Sequence, residues 1–117
     1  MKIKDVSEKF QISPDTLRYY EKIGLIQDVP RDKNGIRDYT EENCHTISFI
    51  KCMRAASVSI DGLSRYMELL QQGDATHAAR RQILVDERNH LESRMKDMQD
   101  ALQHLNWKIK MYDEGKF

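Results

Sequence analysis

From residue 84 onward the chain carries an apolar repeat that very few structures can satisfy. Leu84, Leu91, Met98, Leu105 and Tyr112 recur every seven residues, and Arg88, Met95, Leu102 and Ile109 each stand four residues after one of the first four. These are the alternating seam positions of a coiled coil. Nothing breaks the pattern from about Thr76 to Asp113, and the remaining positions are polar or charged. At 1.5 Å per residue such a helix spans about 55 Å. An apolar stripe of that length needs a partner in water, most simply a second copy of the chain. Arg88 is the charged exception in the seam. Its aliphatic stem can pack while its head pairs or snorkels, which helps fix register.

The residues before the rod read differently. Both prolines, Pro14 and Pro30, fall there, and the segments are short. Val6 and Phe10 make one face of a first helix over about Lys4 to Phe10, with Ile3 leading in. Ser13-Pro14-Asp15 opens a second helix with a side-chain cap, a proline suited to the first turn and an acidic residue at the positive dipole end. Gly24 stops that helix. Two short helices joined by a tight turn form a helix-turn-helix. Asn34-Gly35 predicts a type I′ turn, with short strands around Val29, Ile36 and Tyr39 and with Arg31, Lys33 and Arg37 near the tip. Thr40 caps a third helix ending near Ser57. Ser59 caps a fourth, with Ile60, Leu63, Met67 and Leu70 on its face and Gly73 at its end. The expected fold is therefore all-α with a small β-hairpin wing. A winged helix-turn-helix head over residues 1–74 is followed by a long coiled-coil dimerisation helix and short tail over 75–117.

Charge narrows the function. Lys plus Arg is 19 and Asp plus Glu is 19, so the formal net charge is zero. Bulk positive charge is excluded as a means of holding nucleic acid; only placed charge can do it. On the second helix, Leu17 points inward with Tyr20 on its side, while Asp15, Arg18, Tyr19 and Lys22 share the other face and Thr16 stands near the N-terminal end. That face suits a major groove, with Arg18 and Lys22 neutralising phosphates and Thr16 and Tyr19 meeting phosphates or base edges. Taken alone, it reads equally well as a solvated amphipathic surface. The order helix-turn-helix, basic hairpin, self-pairing rod favours a two-fold DNA reader. No paired carboxylates, nucleophile–base pair or phosphate loop argues for an enzyme, and no cofactor is expected.

Thr16-Leu17-Arg18-Tyr19-Tyr20-Glu21-Lys22-Ile23-Gly24-Leu25-Ile26 resembles the signature of the MerR family of bacterial transcription regulators. Arg31 with Gly35-Ile36-Arg37-Asp38-Tyr39 resembles the family's wing, and Phe49-Ile50-Lys51 and the Ser59 to Gly73 segment resemble its second helix pair. The resemblance covers the whole chain. It implies a homodimer joined by an antiparallel coiled coil, bound to a pseudo-palindromic promoter site with an overlong spacer. Distortion of the DNA then lets RNA polymerase engage both promoter elements. Carried over, it places Arg18, Tyr19, Tyr20, Arg31, Arg37 and Tyr39 at DNA, with Thr16 and Lys33 beside them. Tyr20 and Tyr39 can touch phosphate through the hydroxyl and also pack their rings under the wing. The family often has glycine where Ser57 stands, and Gly62 replaces a better helix former. A constitutive repressor of the same fold, or a coiled-coil adaptor between proteins, are the alternative readings.

What such a regulator would sense is constrained by its cysteines. Cys44 and Cys52 lie eight residues apart. On one helix that separates their Cα atoms by about 12 Å, too far for a disulfide between them. No cysteine lies beyond Cys52, so the thiolate metal site of metal-sensing family members is not expected. His77, His90 and His104 read as surface histidines. Cys52 sits between Lys51 and Arg54, where cations favour the thiolate. The resemblance points to the electrophile- or aldehyde-responsive subgroup, with Cys52 as sensor. The other reading makes Cys52 a small packed hydrophobe. The opening residues show no signal peptide and no membrane-spanning run, so a cytoplasmic protein is expected.

Overall fold

A computed structural model describes all 117 residues. Five α-helices follow in order: α1 (Ile3–Phe10), α2 (Pro14–Lys22), α3 (Glu41–Ala55), α4 (Ile60–Gln71) and α5 (His77–Asp113), with a 3₁₀ turn at Asp74–Thr76 before α5. The chain divides into two compact units, Met1–Ile83 and Leu84–Phe117. No helix is long and apolar enough to cross a membrane.

The helix ends of the first unit follow from local chemistry. Ser13 accepts the Thr16 N–H at 3.1 Å and starts α2. Thr40 and Asn43 cap α3 reciprocally: Thr40 Oγ1 accepts the Asn43 N–H and Asn43 Oδ1 accepts the Thr40 N–H. Ser59 accepts the Gly62 N–H to start α4. At the other end of α2, the Gly24 N–H reaches the Glu21 carbonyl and the Leu25 N–H the Tyr20 carbonyl. That is a Schellman closure with Gly24 at φ +84°. Helix α3 closes the same way, from Ser57 to Arg54 and from Val58 to Met53. There the left-handed residue is Ser57, at φ +63°. The serine thus occupies the conformation that favours glycine.

The core gathers one face from each short element. Val6, Leu17, Leu25, Ile26, Tyr39, Cys44, Ile47, Ile50, Val58, Leu63 and Met67 form one buried cluster. Helix α1 packs on α2 and on α3. Asn43 is buried and donates to the Gln27 carbonyl at 3.1 Å, tying α3 to the segment that follows α2. Of the face expected on α4, Leu63 and Met67 are buried, Ile60 is half-buried and Leu70 is exposed.

The segment from Val29 to Tyr39 departs from expectation. No strand forms; the segment holds one isolated antiparallel bridge, Arg31 to Arg37. Two backbone hydrogen bonds flank it, Asp32 N–H to the Ile36 carbonyl and Asp38 N–H to the Pro30 carbonyl, both 2.8 Å. The ladder stops there because Pro30 has no N–H to extend it; the Tyr39 N–H, which antiparallel pairing turns away from the opposing segment, donates to the Met1 carbonyl at 2.7 Å. The turn also differs from type I′, because Gly35 has positive φ and Asn34 does not. The Asp32 carboxylate organises a three-residue loop instead, accepting the Asn34 and Ile36 N–H groups.

The second unit is the later part of α5 with its short tail. Leu84, Met95, Met98, Leu102, Leu105, Ile109 and Tyr112 are exposed along it, and Leu91 is half-buried. Arg88 lies 3.9 Å from Glu92, an exposed pair one turn apart. At the tail, Phe117 stacks on Tyr112 with ring centroids 5.2 Å apart, and Lys108 sits 3.9 Å from the Phe117 centroid.

Candidate nucleic-acid interface

Helix α2 buries Leu17 completely, with Tyr20 packed beside the core, and helical spacing turns its other face outward. Arg18, Tyr19 and Lys22 are exposed, and Thr16 and Tyr20 are half-buried. The Tyr19 and Tyr20 rings lie 6.2 Å apart. The Arg18 guanidinium rests 3.0 Å from the Asp15 carboxylate one turn back. Asp15 is almost fully exposed, so this pair is weak and leaves Arg18 available to another anion. Thr16 meets the Ser13 hydroxyl at 2.9 Å, so it belongs to the cap as well as to the surface.

The turn after Pro30 brings Arg31 and Arg37 to the same helix. Residues opposite each other in an antiparallel bridge project to the same side. Both side chains end on Glu21 of α2. Arg37 donates from Nε to one carboxylate oxygen at 2.8 Å, and Arg31 from Nη2 to the other at 3.2 Å. Lys33 stands exposed at the loop tip. The loop itself is pinned by Lys2, whose Nζ lies 2.7 Å from Asp32. That hydrogen bond, with those from the Ile36 and Asn34 N–H groups, lowers the Asp32 carboxyl from 3.8 to about 2.

Tyr39 is placed differently from the other tyrosines. It is 3% exposed, and its hydroxyl is enclosed with no hydrogen-bond partner. Burial raises its pKa, while the Arg37 charge nearby acts in the opposite sense. The packing role expected of Tyr39 is visible here, but the phosphate contact is not, because its oxygen does not reach the surface. Glu21 was not singled out in the sequence. Its only local signal is its place three residues after Arg18, and its partners are 10 and 16 residues away.

The two cysteines separate by environment. Cys44 is buried, with Sγ 3.9 Å from the Met1 sulfur, and Cys52 is exposed on α3. The sequence reading of Cys52 as a packed hydrophobe is not what the fold shows.

Comparison with known proteins agrees with this layout. The family model for the MerR HTH family regulatory protein matches residues 1–70, and the MerR DNA-binding model matches residues 44–107. The HTH-type transcriptional regulator AdhR of Bacillus subtilis (strain 168) is 50% identical over 91 residues. That match covers 78% of this chain and 65% of AdhR, so this chain spans just under two thirds of that relative. A crystal structure of a MerR family transcriptional regulator from Listeria monocytogenes superposes with a TM-score of 0.92 at 42% identity, covering 97% of this chain and 86% of that one. The crystal structure of HiNmlR, a MerR family regulator lacking the sensor domain and bound to promoter DNA, gives a TM-score of 0.87 at 27% identity. It covers 98% of this chain and 91% of that one. These relatives are transcription regulators rather than enzymes. The family models together span the helix-turn-helix, the turn after it and most of the long terminal helix, and the chain belongs to the MerR family of helix-turn-helix regulatory proteins.

Proposed function

We propose that this MerR-family regulator binds a pseudo-palindromic promoter site as a homodimer and distorts the DNA to control transcription by RNA polymerase. The head, residues 1–74, reads the DNA, and residues 75–117 join the two copies through an antiparallel coiled coil. Each α2 enters a major groove, with Arg18, Tyr19 and Lys22 facing it and Thr16 and Tyr20 at its border. The Arg31–Arg37 turn serves as the wing and lies along the flanking backbone, with Lys33 at its tip. Tyr39 supports the wing from below. The two arms reach sites on one side of the duplex only if two heads are joined, which is the use of the seam from Leu84 to Tyr112 through Arg88, Leu91, Met95, Met98, Leu102, Leu105 and Ile109. The site of action is then the cytoplasm.

One observation carries the reading. Arg18, Tyr19 and Lys22 of α2 face outward while Leu17 is fully buried, and the two wing arginines converge on the same helix. A chain with no net charge thereby places Arg18, Lys22, Arg31 and Arg37 on and beside one helix. The test is filter binding of wild type and Arg18→Ala over a salt series. Loss of one phosphate contact weakens binding across sequences and lowers the log–log salt slope by about one. An unchanged slope and affinity would refute the assignment of Arg18.

Control of the regulator is assigned to Cys52. Its exposed thiol, between Lys51 and Arg54 in the sequence, is open to a solute. An electrophile such as an aldehyde adds to that sulfur and shifts the bound dimer toward its activating form.

A further inference from the structure

Glu21 is one of the acidic residues of this surface, with Asp15 and Asp32, and it is the one engaged by two arginines. We propose that Glu21 is a positioning residue for DNA binding: its carboxylate sets the Arg31 and Arg37 guanidiniums as a fixed pair beside the exposed face of α2. Affinity for DNA therefore depends on Glu21 although the residue is itself negative. The proposal rests on the reading of this surface as a DNA interface.

Three features of the geometry support it. The bridge holds Arg31 and Arg37 opposite each other, and like charges so placed repel unless an anion lies between them. Glu21 supplies that anion with one oxygen for each arginine, at 3.2 and 2.8 Å. The Glu21 and Arg37 side chains are 23% and 24% exposed, so solvent screens this pair less than an ordinary surface pair. Arg37 is held through Nε, the nitrogen nearest the stem, and neither terminal amino group takes part in that bond. Those groups keep the fork geometry that suits a phosphate. Because Glu21 lies on α2, the wing arginines are referenced to the same rigid helix that carries Arg18 and Lys22. Side chains already ordered lose less entropy on binding.

Bare electrostatics makes the opposite forecast. A carboxylate facing the DNA backbone repels it, so removing the charge should tighten binding and steepen the salt dependence. The sign of the effect therefore decides. The probe is a duplex enriched from a random-sequence library by the wild-type protein. Glu21→Gln is expected to bind it roughly threefold to tenfold more weakly, the scale of one part-exposed charge-assisted contact. In an Arg31→Ala/Arg37→Ala background the same change should cost nothing. Binding as tight as wild type or tighter, or an equal loss in the background lacking both arginines, overturns the proposal. If Glu21→Gln melts early, Arg37→Lys carries the test, since it keeps the charge and loses the Nε bond. A comparable loss at an unchanged salt slope is then expected, and wild-type affinity overturns the proposal. Failure of the wild-type protein to enrich any duplex would refute the DNA-binding reading and the proposal with it. An enriched duplex bound equally by Glu21→Gln would refute the proposal alone.

Discussion

Replacing Leu105 by alanine removes an apolar side chain that the single chain leaves 62% exposed. Burying a whole leucine side chain stabilises by about 1.5–3 kcal/mol. Closing the exposed part in a dimer therefore contributes about 1–2 kcal/mol per copy. A two-fold interface loses it twice, so the variant should weaken dimerisation by about 2–4 kcal/mol. At about 1.4 kcal/mol per decade that is about 30- to 700-fold in the dimer Kd. Alanine is the strongest helix former, so α5 itself is not weakened and the change reports the seam rather than the helix. Sedimentation velocity over a concentration series reads the Kd, with circular dichroism as the check on helicity. Asp100→Ala, on the face of α5 away from the seam, is the control and should leave the Kd unchanged. A Leu105→Ala dimer within about threefold of wild type, or an equal loss from Asp100→Ala, would refute the seam as the contact between copies.

Other predictions test separate links in the argument. Ser57→Gly should raise stability by about 0.5–1 kcal/mol, because the serine stands at φ +63° where glycine carries no Cβ penalty; thermal melts of the two proteins compare it directly. The Asp32 carboxyl, held to about 2 chiefly by its hydrogen bond with Lys2, has a depressed folded-state value. Its contribution is thus complete above 3.8 and disappears as pH falls through about 2, so carbon-13 titration of this carboxyl should show a midpoint well below the ordinary 3.8. Cys52→Ser should abolish reporter induction by an added aldehyde, whereas Cys44→Ser, at a buried position, should retain it provided it folds. Induction unchanged in Cys52→Ser would remove the thiol from the mechanism.

The parts of this protein that were legible residue by residue share one property: their partners lie within a turn or two along the chain. Ser13, Thr40 and Ser59 each cap a helix by reaching three residues ahead. Gly24 and Leu25 close α2 onto carbonyls three and five residues back, respectively. The Leu84 to Tyr112 repeat follows from helical geometry alone. The wing region was not legible in the same way. Asn34-Gly35 carried a strong hairpin signal, yet the Asp32 side chain imposed a longer loop and Pro30, lacking an N–H, ended the ladder after one bridge. The exposed state of Cys52 and the enclosed hydroxyl of Tyr39 also depend on which faces the neighbouring helices cover.

Glu21 shows where local pattern stops being informative. Spacing along α2 is enough to set Leu17 against the core and Arg18, Tyr19 and Lys22 toward solvent, because a helix repeats every 3.6 residues whatever surrounds it. Heptad spacing likewise requires an apolar seam on α5 and hence a partner. No local rule couples Glu21 to Arg31 and Arg37. Their meeting requires the chain to reverse after Gly24, to turn again at Asp32 and to anchor Tyr39 in the core. Short-range geometry thus sets the kind of molecule, while the folded-back chain brings one carboxylate between two arginines, on the surface proposed to meet DNA.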